Sequence, residues 1–395
     1  MVNMERFDGI HFNDDHSVSV GGAVRFGDLV SALSSADREL TVGSCVCVGS
    51  TGAMMGGGHG RLQGKHGLTS DALTSVRMVL WNGTVVEASE TNNADLFWGM
   101  RGAGHNFGIV IESTYQTFPQ ENDGIHYNAD MVFTGDSLEG VVSVINSLIP
   151  QQDPALALDF LFFTDPSTMT PVVFLNLVYA GPHAEGQRYA DLFASENRGN
   201  SSSRINRLSV NATDVSYADL NNVAAGGAIT AACATGSRQN TYSTNLRTLD
   251  VPTIRKLFDS YASFIQAEPL AVNSLVLFEV FGQAAVDAQP DDYTAYANRG
   301  FANALALLEM IYTDDAVAEA ADTWAREWRD HLASPSISGY PRRYVYQNYA
   351  HGDEPLETFY GYDEWRKERL TSLKESFDPR NNFNGYHSIP LDGEW

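Results

Sequence analysis

Apolar and polar positions divide the chain into two parts with different patterns. In the first 120 residues, short apolar runs alternate with glycines, as in HSVSVGGAV at 16–24. Such alternation predicts β-strands, and Asn82-Gly83 between two β-branched runs predicts a tight hairpin. The run FGDLVSALSSA at 26–36 predicts a helix. This part of the chain is therefore predicted to be α+β with local hairpins.

Longer elements follow between residues 121 and 340. Trp324, Trp328 and Leu332 recur on one face of a predicted helix, which indicates that this face packs against a sheet. Strands covered by helices on one side predict an antiparallel sheet whose other face forms the wall of a binding site. The pattern predicts helices at 137–149, 184–196 and 315–334, and strands at 156–165, 170–181 and 274–286.

The last part of the chain, from 341 to 395, begins with a tyrosine-rich loop. An amphipathic helix follows, with Leu370, Leu373 and Phe377 on its apolar face. Asp378-Pro379 is predicted to end this helix, because proline cannot continue it.

Composition and charge narrow the classes of function. The chain has 395 residues, of which 43% are hydrophobic and 19% charged, and a formal net charge of −24. These values are typical of a globular protein large enough for two domains. The negative charge argues against nucleic acid as a partner. We expect no membrane span and no signal peptide, because no apolar run is long enough and the N-terminus lacks a basic and an apolar region.

The segment VGSCVCVGSTGAMMGGGHGRLQGKHGL, residues 42–68, concentrates the candidate chemistry. A backbone this rich in glycine can approach a large anionic or planar cofactor closely. The segment has neither the closing Gly-Lys-Ser/Thr of a phosphate loop nor the spacing of a dinucleotide fingerprint. A zinc site made by Cys45, Cys47, His59 and His66 is disfavoured, because a C-x-C pair is not the usual spacing and the glycines would be superfluous.

The three cysteines, Cys45, Cys47 and Cys233, do not indicate a disulfide framework. Cys47 is interpreted as a small packing side chain, which is the common fate of such a cysteine. No metal is expected.

Four ordered blocks of sequence carry a family resemblance. Gly43, Ser44 and Cys45, followed by Val48-Gly49 and a later glycine turn at 56–60, are similar to a cofactor-binding motif of the berberine-bridge-enzyme-like, FAD-linked oxidases of the vanillyl-alcohol oxidase superfamily. The blocks GLTSDALTSVRMVLWNGTVVEAS, NADLFWGMRGAGHNFGIV, and YVYQNY together with SFDPRNNF match further family motifs in order and spacing. The resemblance extends over almost the whole chain.

This resemblance implies a fold, a set of domains and a cofactor. The fold would be α+β, a partial PCMH-type FAD-binding domain plus a substrate domain with an antiparallel sheet covered by helices. The domains would be residues 1–120, 121–340, and a segment at 341–395 that returns to the FAD-binding domain. The family's Gly-Gly-His loop, which holds the pyrophosphate and supplies a second covalent link, would precede the first residues of this sequence.

The resemblance also assigns site residues. Cys45 falls where family members attach the flavin ring through a cysteinyl bond. The positions implied to contact the cofactor are Cys45, Val48, Gly49, Gly52, Gly56, Gly58, His59, Gly60, Ile109, Val110 and Asn348. Tyr346 and Asn348 form the family's Tyr-x-Asn pair, which sits over the flavin ring.

Candidates for the catalytic base are Tyr346, Glu279 and Glu309. The two glutamates each interrupt an apolar run, in VLFEVFG and ALLEMIY. A carboxyl group in such surroundings would have a raised pKa, which suits proton abstraction. Either glutamate could equally be an exposed residue at a sheet edge.

The sequence therefore predicts an FAD-linked oxidoreductase. By resemblance, it would oxidise an alcohol, a sugar or an aromatic natural product by hydride transfer to flavin, with reoxidation by dioxygen and a place in secondary metabolism. Its partners would be a small-molecule substrate and dioxygen. The alternative is a flavin-poor or flavin-free relative that binds a ligand, isomerises or cyclises it, or is inactive; a missing pyrophosphate loop would favour that alternative.

Overall fold

The computed structural model describes residues 2–165, 168–194, 204–231 and 233–395. Two compact units emerge from the contacts along the chain. Unit 1 comprises Met1–Gly124, Gln283–Arg299 and Gly352–Trp395. Unit 2 comprises Ile125–Gly282 and Gly300–His351. The domain boundaries expected from the sequence stay predictions.

Unit 1 contains a five-stranded antiparallel sheet with the order β1-β2-β6-β4-β5, and a separate pair, β3-β7. The predicted hairpin joins β4 to β5, and Gly83 in its turn has a φ of +83°, which glycine adopts without strain. The strands are β1 Ile10–Phe12, β2 Ser17–Gly21, β3 Arg38–Glu39, β4 Leu73–Val79, β5 Val85–Ser89, β6 Ile109–Gln116 and β7 Phe118–Pro119.

The helices of unit 1 lie in all three of its chain segments. Leu370 and Leu373 of the last helix are buried, and the helix ends directly before Asp378, as the sequence predicts. The helices are α1 Phe26–Ser35, α2 Ser50–Met55, α3 Gln63–His66, α4 Ala94–Ala103, α10 Ala284–Asp287, α13 Glu357–Tyr360 and α14 Glu364–Phe377.

Unit 2 is built on a seven-stranded antiparallel sheet with the order β11-β8-β10-β9-β13-β14-β12. The strands predicted at 156–165 and 170–181 form β9 and β10, whereas the strand predicted at 274–286 ends at Phe281, because Gly282 is unfavourable in a strand and the alanines that follow form a short helix. The strands are β8 Ile125–Phe133, β9 Leu156–Asp165, β10 Thr170–Tyr179, β11 Arg207–Ser216, β12 Arg238–Leu246, β13 Leu275–Phe281 and β14 Ala304–Tyr312.

Helices cover one face of this sheet. Phe162 packs its ring against Phe258 and Tyr261 of α9, and the indole N–H groups of Trp324 and Trp328 in α11 donate to Ser260. The helices of unit 2 are α5 Leu138–Leu148, α6 His183–Asp191, α7 Tyr217–Val223, α8 Ala228–Ala231, α9 Val251–Ala267, α11 Ala318–Leu332 and α12 Pro335–Ser338. The predicted antiparallel sheet covered by helices is confirmed.

Short 3₁₀ turns connect many of these elements. They are Thr69–Ala72, Gly104–Asn106, Asn122–Gly124, Gly135–Ser137, Ile149–Gln151, Ala224–Gly227, Pro269–Ala271, Asp315–Val317 and Gln347–Tyr349.

Candidate functional site: a cysteine loop and a polar sheet face

The cysteine loop of unit 1, residues 43–52, is fixed by backbone hydrogen bonds. The N–H groups of Phe26 and Gly27 donate to the carbonyls of Val48 and Val46, at 3.0 and 2.9 Å. The N–H of Ser50 donates to the carbonyl of Val24, also at 3.0 Å. These bonds hold the half-buried Cys45 in a defined position, because the loop cannot move without breaking them.

The loop exposes an almost bare backbone beside the Cys45 thiol. Val48 is 41% exposed, and Gly49 and Gly52 are exposed as well. A Cβ added at Gly49 or Gly52 would meet no atom within 4 Å, so the fold itself does not require glycine there. A flat surface of this kind, next to a nucleophilic thiol, fits a planar cofactor that cysteine can bind covalently.

Other glycines of the same segment serve the packing of unit 1. A Cβ at Gly58, whose φ is +83°, would lie 2.4 Å from the side chain of Thr69, and one at Gly60 would lie 2.1 Å from the carbonyl oxygen of Val42. Gly56 is also buried. The cofactor contacts predicted for Gly56, Gly58 and Gly60 stay predictions, and for the last two the packing already explains the glycine.

Cys47 lies next to Cys45, with 3.3 Å between the two sulfur atoms. Cys47 is disulfide-bonded, but not to Cys45, which keeps its thiol. Its interpretation as a simple packing side chain is therefore wrong, because its sulfur is covalently engaged.

His59 is buried and forms a hydrogen bond of 2.7 Å between its Nε2 and the hydroxyl of Tyr296. Burial, and then the charge of Arg299, lowers the pKa of His59 to about 3. The imidazole is therefore neutral at physiological pH and contributes a hydrogen bond rather than a charge.

Two family-motif aspartates form buried ion pairs. Asp71 binds the guanidinium of Arg299 at 3.1 Å, with both side chains at most 5% exposed. Asp378 binds Lys374 at 2.7 Å and accepts the backbone N–H of Phe383. Both aspartates therefore hold unit 1 together, since an unpaired charge at either place would be costly.

Ile109 and Val110 begin β6 and pair with Val79 and Met78 of β4. The carbonyl of Val110 lies so close to Gly22 that a Cβ there would come within 2.4 Å of it. Their predicted backbone contacts with a cofactor stay predictions.

In unit 2, the face of the sheet opposite the helices carries polar side chains in register. Asp159 of β9 pairs with Glu279 of β13, Glu279 with Leu305 of β14, and Leu305 with Asn245 of β12. Paired residues point to the same side of a sheet. Asp159, Glu279 and Asn245 thus form one row across four strands, and each is buried.

Tyr349 contacts this row through its hydroxyl. The hydroxyl donates a hydrogen bond to Oε1 of Glu279 at 3.1 Å. Burial, followed by the negative charge of Glu279, raises the pKa of Tyr349 well above its usual value. The phenol is therefore protonated and serves as a hydrogen-bond donor to the carboxylate.

The Tyr-x-Asn pair lies beside Tyr349. The Asn348 amide donates to the hydroxyl of Tyr346 at 2.6 Å, and the rings of Tyr346 and Tyr349 meet edge to face at 5.1 Å. The sequence-predicted residues Glu279, Tyr346 and Asn348 thus come together within unit 2. Tyr349 was missed, although its place directly after the Tyr-x-Asn pair was a signal.

Asn245 was missed as well. Its side chain is 1% exposed, and neither its amide nitrogen nor its amide oxygen has a hydrogen-bond partner among the described residues. An unsatisfied buried amide is costly and is a mark of a site where a ligand supplies the missing partners.

Glu309 lies elsewhere on the same face. It pairs with Leu275, four residues along β13 from Glu279, which corresponds to about 13 Å. Burial raises the pKa of Glu309. The structure does not bring this glutamate to the Glu279 row, although its surroundings are as apolar as the sequence indicates.

Comparisons with known proteins identify the family. Residues 1–89 match the model described as "FAD binding domain", and residues 345–390 match "Berberine and berberine like". The FAD-linked oxidoreductase OXR1 of Pyricularia oryzae is 36% identical over 376 residues, which are 95% of this chain and 71% of that protein. The chain belongs to the berberine-bridge-enzyme-like FAD-linked oxidoreductases.

Solved structures share the berberine-bridge-enzyme-like fold. BBE-like 1 of Physcomitrella patens has a TM-score of 0.78 at 22% identity, covering 98% of this chain and 80% of that one. Glucooligosaccharide oxidase from Acremonium strictum, whose title names a 6-S-cysteinyl, 8α-N1-histidyl FAD, has a TM-score of 0.77 at 20% identity, covering 98% and 81%. The predicted family, α+β fold and FAD cofactor are confirmed.

No helix in the described parts of the chain is both long and apolar enough to cross a bilayer.

Proposed function

We propose that this FAD-linked oxidoreductase oxidises a hydroxyl-bearing small molecule in secondary metabolism, with Cys45 as the covalent attachment point of the cofactor and Glu279 as the proton acceptor. When bound, FAD would supply the two-electron acceptor, and dioxygen would be the final electron acceptor. The observation that carries the proposal is the buried polar row of unit 2, in which Glu279 and Asn245 lie on one sheet face and Tyr349 donates a hydrogen bond to Glu279.

Glu279 is suited to take a proton from a substrate hydroxyl. Its carboxylate accepts a hydrogen bond from Tyr349, and a carboxylate oxygen can accept from more than one donor. Tyr349 remains protonated and therefore fixes the orientation of the carboxylate instead of competing for the proton. The loss of a substrate proton to Glu279 would accompany oxidation of the carbon that bears the hydroxyl.

Cys45 is suited to bind the cofactor because its thiol stands beside the exposed backbone of Val48, Gly49 and Gly52. The named 6-S-cysteinyl linkage of glucooligosaccharide oxidase supports this assignment. The other predicted cofactor contacts, at His59, Ile109, Val110 and Asn348, belong to the same proposal.

An oxygen electrode tests the reaction. Purified protein is offered primary alcohols, oligosaccharides and hydroxylated aromatic compounds, and oxygen uptake and hydrogen peroxide are measured together. We expect one class to drive oxygen uptake with equimolar peroxide. Substrate oxidation without oxygen uptake would contradict dioxygen as the acceptor, and the absence of oxidation with all classes would contradict the proposed reaction.

A further inference from the structure

A cavity of about 460 Å³ lies within unit 2, on the sheet face that the helices leave uncovered. That volume is typical of a site for a drug-sized molecule. Most of its floor is apolar. Four of the floor residues are half-buried and Phe174 is buried, whereas neighbours on the opposite sheet face, such as Phe162 and Val276, are fully buried. The apolar floor residues are Leu161, Phe163, Phe174, Leu275 and Ile311.

The wall opposite this floor is held in place by a buried carboxylate. Asp130 of β8 accepts the backbone N–H groups of Ala225 and Gly226, at 3.0 and 2.7 Å, and the amide of Asn176 at 2.7 Å. Ala225 and Gly226 both have positive φ, at 56° and 61°. Ala225 adopts an unfavourable conformation for a residue with a side chain, and the bonds to Asp130 compensate for it. With Ala228, this turn lines the cavity.

Among the described residues that line the cavity, Glu309 is the one with a carboxyl group. The charge of no described residue contributes to its raised pKa, which burial alone accounts for. A carboxyl group at this place can accept a hydrogen bond from a ligand hydroxyl, and in its protonated form it can donate its O–H to a carbonyl or hydroxyl oxygen. An anionic ligand would gain no cation from the described residues that line the cavity, and a sugar would lose hydrogen bonds to water on the apolar floor.

We propose that this cavity binds the body of an uncharged aromatic substrate, with Glu309 hydrogen-bonded to an oxygen on its ring system. The inference rests on the proposed function, because it assigns a substrate class to that oxidoreductase: a hydroxylated aromatic compound rather than a sugar. It also gives Glu309 a role in binding, separate from the proton transfer assigned to Glu279.

Three probes test the cavity in the purified 395-residue chain: 2-naphthol, naphthalene and maltotriose, each by equilibrium dialysis. We expect 2-naphthol to bind at one site and more tightly than naphthalene by about 5- to 10-fold, the worth of one hydrogen bond. Maltotriose should not compete. Failure of 2-naphthol to bind up to its solubility limit would overturn the inference.

Variants test whether 2-naphthol binds in this cavity. Ala228→Trp at the rim should weaken 2-naphthol binding by about 10-fold or more by filling the cavity. Gln239→Trp, which is exposed on the edge strand β12 and also lines the cavity, serves if the first variant does not fold. The control Ala316→Trp, exposed outside the cavity, should bind 2-naphthol like the parent. Unchanged binding in a folded cavity variant would overturn the inference.

Glu309→Leu should remove the preference for 2-naphthol over naphthalene while naphthalene binding persists. A preference that survives in this variant would overturn the role of Glu309.

Flavin absorbance and oxygen uptake distinguish a failure of the cavity proposal from a failure of the proposed function. A chain that binds 2-naphthol as expected but oxidises nothing would refute only the proposed function. An oxidising flavoprotein with no 2-naphthol site would refute only the cavity.

Discussion

At the scale of single residues, Glu279 and Tyr349 carry the proposed chemistry. The two side chains are 70 positions apart in sequence and meet through one hydrogen bond of 3.1 Å. Their separation explains why sequence reasoning found the glutamate, which stands out in an apolar run, and missed the tyrosine. A buried carboxylate held by a tyrosine hydroxyl is suited to act as a general base.

Glu279→Gln should lower kcat by about 10²- to 10⁴-fold with little change in KM, because the amide keeps the shape but cannot take a proton. Steady-state oxygen uptake is the measurement. Glu319→Gln, an exposed change on α11, should leave kcat unaltered. A kcat of Glu279→Gln within a factor of two or so of the parent would contradict the assigned role.

Asn245→Leu should separate stability from activity. Leucine has nearly the same shape and removes two unsatisfied buried polar atoms, so the free energy of unfolding should stay equal or rise by about 1 kcal/mol. The value of kcat/KM should fall, because substrate would lose its amide partner. Urea unfolding and oxygen uptake measure the two effects. Lower stability together with unchanged kcat/KM would show that Asn245 serves the fold alone.

At the scale of elements, the glycine-rich loop combines two functions that the sequence does not distinguish. Gly58 has a positive φ and touches Thr69, whereas Gly52 lies in α2 with open space where a side chain would point. Glycine is therefore required by packing at position 58, whereas at position 52 it leaves the backbone exposed.

Gly58→Ala should cost about 2–4 kcal/mol of stability, from the left-handed backbone and from the contact with Thr69. Gly52→Ala should leave stability unchanged or slightly higher, since alanine favours the helix. Its flavin content per chain should nevertheless fall if Gly52 lies against the cofactor. Thermal unfolding and visible absorbance measure both. Equal flavin content in Gly52→Ala and the parent would contradict a cofactor contact there.

The helices and strands named in the sequence analysis were predicted from apolar residues that recur at regular spacing, and such a pattern is missing from strands made mostly of polar residues. The helix with Trp324 and Trp328 and strands β9 and β10 follow their sequence patterns. The strand β12, RQNTYSTNL, has few apolar residues because one of its faces carries the polar row that includes Asn245. The strand β11 alternates polar and apolar residues from Arg207 to Thr213 but is mostly exposed, and it was not predicted. The part of the helix predicted at 184–196 that extends past residue 194 lies outside the described residues.

At the scale of the whole molecule, motif order identified the family more surely than any single residue. Four ordered blocks predicted the FAD-linked oxidoreductase family and the α+β fold. The ion pair Asp71–Arg299 could not be predicted, because it depends on which distant segments fold into unit 1, whereas Lys374 and Asp378 are only four residues apart.

The pH dependence of stability reports on His59. Its pKa falls from an ordinary 6.5 to about 3 in the folded chain, so the unfolded chain binds an extra proton between these values. The contribution of His59 is complete above pH 6.5 and is lost as the pH falls toward 3. At pH 5 the loss should be about 2 kcal/mol relative to pH 7. Urea unfolding of the parent and of His59→Gln gives the difference, and identical pH dependence would contradict a buried neutral imidazole.

The central claim, that FAD is attached covalently at Cys45, is tested most directly by denaturing the protein. The purified chain is denatured in acid and precipitated, and flavin absorbance is compared between pellet and supernatant. We predict that flavin stays with the protein in the parent and in the neighbouring control Ser44→Ala, and that Cys45→Ala releases it. A colourless folded protein, or flavin that remains bound in Cys45→Ala, would contradict the account.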